Sequence, residues 1–158
     1  MSRLVGAINT PGPHIDERLV GKLHLLTTIP IQDNIRVLLS QSYRAVAEQL
    51  EKEKKLNNIL NVICIITPYG DFAIQRDNEQ LAYCISHLVI YPIQKWIDDN
   101  FNDLKILLFI TEELCHTFWE IHDEVRVNYK VLEVMKHIMP ELQMENLYNT
   151  KWMEENKQ

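Results

Sequence analysis

The chain has 158 residues, 46% of them apolar, and a net charge of −6. A chain of this size is expected to form one domain with a sizeable core. Its acidity argues against a general nucleic-acid binder, which would carry a basic patch or stripe. No apolar run reaches the roughly 18 residues that a membrane-spanning helix needs, so no membrane partner is expected. The N-terminal stretch MSRLVGAINTPGPH lacks the apolar segment of a signal peptide. Cys64, Cys84 and Cys115 are scattered through apolar runs and read as free thiols in a reducing compartment. A cytoplasmic location is the resulting expectation.

Residues 1–15 contain Thr10-Pro11-Gly12-Pro13, which reads as loop chemistry and a flexible arm. Asp16 is placed to cap a short helix through Leu19, Val20, Leu23 and Leu26, weakened by Gly21. The chain resets at Ile29-Pro30. From Asp33 to about Leu56, Ile35, Leu38, Leu39, Tyr43, Val46 and Leu50 recur at helical spacing, which predicts an amphipathic helix. Asn61 to Thr67 is β-branched and short, and Pro68-Tyr69-Gly70-Asp71 supplies a turn toward Phe72-Ala73-Ile74. That pattern predicts a hairpin over 61–74, one that must pack on helices or meet another strand to be stable.

Asn78 to Asn100 reads as helix, kinked or broken near Tyr91 by Pro92. A central helix begins near Asp103. Asp123 then serves as N-cap for a helix running to Met139, which Pro140 closes. A last helix over 141–154 uses Leu142, Leu147 and Tyr148, with a fraying tail. There is no repeat, no low-complexity tract and no second domain boundary. The expected fold is α+β and helix-dominated, a single domain over 1–158.

The stretch DLKILLFITEELCHTFWEIHDEVRVN (103–128) stands apart. Its first half is apolar nearly all round, the pattern of a helix touched on several sides. Its continuation then carries Glu112, Glu113 and His116, which crowd one side of a helix. Buried carboxylates and imidazoles are costly unless they pair, hydrogen-bond or hold a metal. The HExxH signature of metal-dependent peptidases puts two histidines at i and i+4 with a glutamate as general base. Glu112-Glu113-Leu114-Cys115-His116 keeps the base (Glu113) and the second histidine (His116), with Glu112 in place of the first. A carboxylate can also bind zinc. His122 has the spacing of the third histidine in H-E-x-x-H-x-x-G-x-x-H, although Trp119 stands where that motif has glycine.

FITEELCH followed by DEVRVNYKVLEVMKHIMP resembles the ImmA/IrrE family of zinc-dependent peptidases, zincin-like domains whose active-site helix ends roughly FTLAHELGH. In that family a following helix of pattern E-x-x-A-N/D-x-F-A…LLMP carries the third ligand. The resemblance implies that Glu112 and His116 are zinc ligands, Glu113 the general base and Glu124 the third ligand. Asn128 falls at the family's Asn/Asp position, and Met139-Pro140 at its closing Met-Pro. In layout it spans a zincin-like core over 33–140, with a small hairpin or sheet beside the motif helix and a C-terminal helix and tail over 141–158. It implies a zinc-dependent peptidase-family protein that acts on or binds a regulatory protein partner, often in phages and mobile elements, while the departure at Glu112 leaves open both an active peptidase and one with reduced or lost catalysis.

Other readings stay open at this point. Two acidic residues and a histidine at a helix end often form a solvated face, and the chain would then be a helical interaction or regulatory protein without metal. Glu113 and His116 also match half of a di-iron carboxylate site, but the second Glu-x-x-His unit is missing. His137 most simply serves its helix dipole, and His87 a core hydrogen bond. Cys115 and His116, adjacent on a helix, face apart and do not make a nucleophile pair. With four glycines in the chain, no phosphate loop can be built.

Overall fold

Val62–Thr67 is buried at every position except Ile63, and a strand covered on both faces belongs inside a parallel sheet. In the computed structural model, which describes residues 2–76 and 87–157, that is where it lies. The strands are β1 (Ser2–Leu4), β2 (Leu23–Thr27), β3 (Val62–Thr67), β4 (Ile74–Arg76) and β5 (His87–Pro92). The helices are α1 (Asp33–Lys52), α2 (Ile93–Asp98), α3 (Asp103–Phe118), α4 (Glu124–Met135), α5 (Met144–Leu147) and α6 (Thr150–Glu155). β3 sits between β2 and β5 and runs parallel to both, with Val62 opposite Leu23 on one side and His87 on the other. β1 and β4 form a separate antiparallel pair. The architecture is mixed α+β, with helix predominating. Among the described residues no helix is long and apolar enough to cross a membrane.

Several sequence expectations are corrected here. The hairpin over 61–74 does not form: both edges of β3 are taken by parallel strands, and β4, with Ile74 44% exposed, pairs with β1 instead. The first residues are therefore not a loose arm. Ser2–Leu4 is a strand, and further on Ile8 N–H donates to the Thr27 carbonyl and His14 N–H to Ser40 Oγ. Asp16 does cap, accepting from the Arg18 N–H, but only a single 3-10 turn follows (Glu17–Leu19). Gly21 at φ +78° then redirects the chain into β2. The leucines there matched helical spacing, yet burial alternates as in a strand, with Leu23 and Thr27 covered and His24 and Leu26 exposed.

The helix expected over 78–100 is corrected in its described part, since 87–92 is β5; residues 77–86, with Cys84, lie outside the described residues. A short apolar run such as LVIY fits either period. Pro92 ends β5 and stands at the N-cap of α2, where its missing N–H breaks no helical bond. The last helix is two short ones, α5 and α6, parted by Tyr148 in extended backbone (φ −136°, ψ 160°).

α1, α3 and α4 pack together beside the sheet. Ile35, Leu39, Tyr43 and Leu50 of α1 share a core with Ile110 and Leu114 of α3 and with Val127, Val131 and Met135 of α4. One buried polar contact joins α1 to α3: Ser42 Oγ lies 3.0 Å from Thr111 Oγ1, which also donates to the Leu107 carbonyl. At the far end, Glu53 accepts from Gln49 Nε2 (2.7 Å), Trp119 Nε1 (2.7 Å) and Lys130 Nζ (2.6 Å). Lys130 is also paired with Glu133, while Gln49 Oε1 lies 2.8 Å from His137 Nε2. This polar knot fixes the end of α1 against the end of α3 and the middle of α4.

Burial alone would raise the Glu53 carboxyl, but the hydrogen bonds from Lys130, Trp119 and Gln49 outweigh it and hold the pKa at about 2 against an ordinary 4.5. A folded-state pKa below the unfolded one adds stability that is present above pH ~4.5 and lost as pH falls toward ~2. Because the side chain is 22% exposed, the contribution is at most about 3 kcal/mol. Urea unfolding should show stability falling by up to that amount between pH 5 and pH 2. Glu53→Gln should flatten this part of the curve and lower stability at pH 7.

Candidate metal centre

α3 starts at Asn102, whose side chain accepts from the Lys105 N–H at 2.9 Å. Ile106, Leu107, Ile110 and Leu114 face the core. Leu108 and Phe109 are only half-buried, and Leu104 is 38% exposed. The apolar run is thus not enclosed on all sides, as its composition suggested. Its open stripe lines a cleft of about 510 Å³, bordered also by Tyr148 and Trp152. Glu112, one turn beyond Leu108, stands in the same cleft, and Glu124 reaches it from α4.

The connection from α3 to α4 is short, and its geometry decides where the acidic groups meet. Trp119 caps α3 with φ −104°, and the left-handed residue is Glu120 (φ +53°), one position later than the glycine of the longer histidine motif. Ile121 N–H then donates back to the His116 carbonyl (3.2 Å), a six-to-one closure of the Schellman kind. The Ile121 carbonyl in turn lies 2.6 Å from His116 Nδ1. A carbonyl can only accept, so Nδ1 carries a proton, and Nε2 is the ring nitrogen turned toward Glu124. Asp123 caps α4 by accepting from the Arg126 N–H (2.7 Å), which sets Glu124 at the first helical position.

The result is a convergence of Glu112, His116 and Glu124, with one ligand atom from each lying within 4.8 Å of the others. His116 Nε2 is 3.8 Å from Glu124 Oε2. His122 is exposed on the connection and is not part of this group. Glu113 is exposed, close enough to His116 and Glu124 to feel their charges, and is not among the residues that line the cleft. Burial raises the Glu112 carboxyl above its ordinary value, offset in part by the hydrogen bond from Tyr148 Oη (3.0 Å). Glu113 is raised too, first by the protein around it and then by the negative charge of Glu124, against the opposing pull of His116.

The donors fit zinc. A tetrahedral ion with bonds of ~2.0–2.1 Å sets its ligand atoms about 3.3 Å apart. His116 Nε2 and Glu124 Oε2, 3.8 Å apart, and the remaining pairs, within 4.8 Å, must close by roughly 0.5 to 1.5 Å, to which Glu124, with its side chain 62% exposed, contributes by rotating. One imidazole and two carboxylates are all zinc ligand types, and a ring N–H held by a carbonyl is the usual outer partner of a ligating histidine. Tyr148 was expected only as an apolar residue of the last helix. It lies far from Glu112 in sequence, and nothing in its spacing marks the contact. Comparison with known protein families, curated proteins and solved structures gives no match.

If these positions are ligands, Glu112→His should tighten zinc binding, because it sets two imidazoles one turn apart and removes one of the crowded carboxylates. Binding to the folded state stabilises it by about 2.7 kcal/mol at a hundredfold excess over Kd. The zinc-dependent rise in Tm should therefore be larger in Glu112→His than in the parent at equal metal, and His116→Ala in the same background should abolish it. A folded Glu112→His protein with no zinc response would show that Glu124 does not complete the site.

Proposed function

We propose that the chain is a zincin-like domain of the ImmA/IrrE type with an altered metal site, a zinc-dependent peptidase-family protein that binds or cleaves a protein partner. The observation that carries this reading is the convergence of Glu112, His116 and Glu124 from two helices, with the His116 ring turned so that Nε2 faces Glu124. The order of the elements supports it as well, since α3 bears the motif and α4 follows directly with the third carboxylate. Bound zinc supplies Lewis acidity, which polarises a peptide carbonyl and lowers the pKa of water. Glu112, His116 and Glu124 would hold it. Glu113, exposed beside them with a raised pKa, takes a proton from the attacking water and returns it to the departing amine. The cleft lined by Leu104, Leu108, Phe109 and Trp152 receives the polypeptide, its apolar walls covering side chains next to the bond.

The same cleft also supports the second reading, a non-enzymatic interaction domain without metal, because exposed Leu104 and Trp152 offer a partner apolar surface. Metal content separates the two. Purified protein dialysed against trace zinc should hold one ion per chain. Glu113→Gln should keep that ion while lowering hydrolysis of an unfolded protein substrate by about 10²-fold or more. Protein that folds, binds no stoichiometric metal and cleaves nothing would favour the interaction domain.

A further inference from the structure

The position that departs from the HExxH signature is also the one that a distant segment of the chain reaches to hold. Tyr148 Oη donates to Glu112 Oε2 at 3.0 Å, across 36 residues of sequence. The residue is placed with some care. α5 and α6 are separate helices because Tyr148 lies in extended backbone between them. Each side of the break is fixed by an asparagine: Asn146 Oδ1 accepts from the Gln143 N–H (2.8 Å) and Asn149 Oδ1 from the Trp152 N–H (3.2 Å). Leu147 and Tyr148 pack against the core, so the phenol is carried on an anchored support.

A carboxylate differs from an imidazole as a ligand in two respects. It has two equivalent oxygens and can swing between one-point and two-point binding, and it carries a full negative charge. A phenol donating to one oxygen answers both, because it leaves the second oxygen for the ion and draws off part of the charge. We infer that Tyr148 is a positioning residue for the metal centre, one that makes Glu112 a one-oxygen ligand and so allows a carboxylate to stand where the signature has histidine. This rests on the metal reading of the site given above. It makes the segment from Gln143 to Met153 part of the centre, outside the stretch that carries the motif.

The test is zinc affinity, measured by chelator competition on the full chain. Tyr148→Phe keeps the ring and its packing, and it should weaken zinc binding by about 10- to 100-fold, the usual cost of losing an outer partner. In a Glu112→His background the same Tyr148→Phe change should have little effect, since an imidazole has no second oxygen to occupy. Metal-free Tm, read alongside, reports any purely structural role. Should Tyr148→Phe fail to fold, Tyr148→Leu carries the same expectation. Equal zinc affinity in the parent and Tyr148→Phe overturns this inference and leaves the metal site standing. An equal loss in both backgrounds overturns it too, because the phenol would then act through the fold and not through Glu112. A parent that binds no zinc removes the metal reading and this inference together.

Discussion

The site depends on a pair of hydrogen bonds between His116 and Ile121. The Ile121 N–H closes the end of α3 onto the His116 carbonyl, and the Ile121 carbonyl receives the His116 ring. The first bond turns the chain sharply enough for α4 to begin almost at once, with Glu124 in its first turn. The second settles which ring nitrogen faces that carboxylate. One residue of the turn thus places the third acidic group and orients the histidine it meets. The cost is Glu120 at φ +53°, a left-handed conformation that an L-residue adopts with some strain.

Such a turn holds its geometry only if the helices it joins cannot shift. The apolar contact among α1, α3 and α4 supplies most of that rigidity, and the knot around Glu53 adds direction. Trp119, the cap of α3, donates to Glu53 on α1, and Lys130 on α4 does the same. The polar contacts therefore bracket the α3–α4 turn from the helix that faces both. On the opposite side α3 keeps its apolar stripe open, and the C-terminal segment forms the far wall of the cleft. Packing on one face and an uncovered stripe on the other bring a charged triad and an apolar cleft together.

The helices of this arrangement were legible in the sequence because they are long and strongly periodic. α1, α3 and α4 begin where the spacing placed them and Asp123 caps α4 as expected, but α1 ends at Lys52 and α4 at Met135, each four residues before the expected Leu56 and Met139. Of the strands, β3 was legible and β2 and β5 were not. β2 and β5 are short apolar runs, and Leu19, Val20, Leu23 and Leu26 happen to satisfy a helical period. The hairpin failed for a different reason: Val62–Thr67 announced a strand, but its partners are set by long-range pairing, which no local turn signal reports. At the site, the i,i+4 spacing of Glu112 and His116 could be read directly. Glu124 was expected through the family resemblance, and His122, expected from the spacing of the longer histidine motif, lies outside the group that converges. Tyr148 could not be read at all, since its contact exists only once the last helix breaks.

The central claim is that Glu112, His116 and Glu124 close on one ion. X-ray absorption at the zinc edge, on protein loaded with a single equivalent, tests it most directly. The account predicts a four- or five-coordinate shell of nitrogen and oxygen near 2.0 Å, the outer scattering of one imidazole, and loss of that signature in His116→Ala. A shell of water oxygens without imidazole scattering, unchanged by His116→Ala, would contradict it.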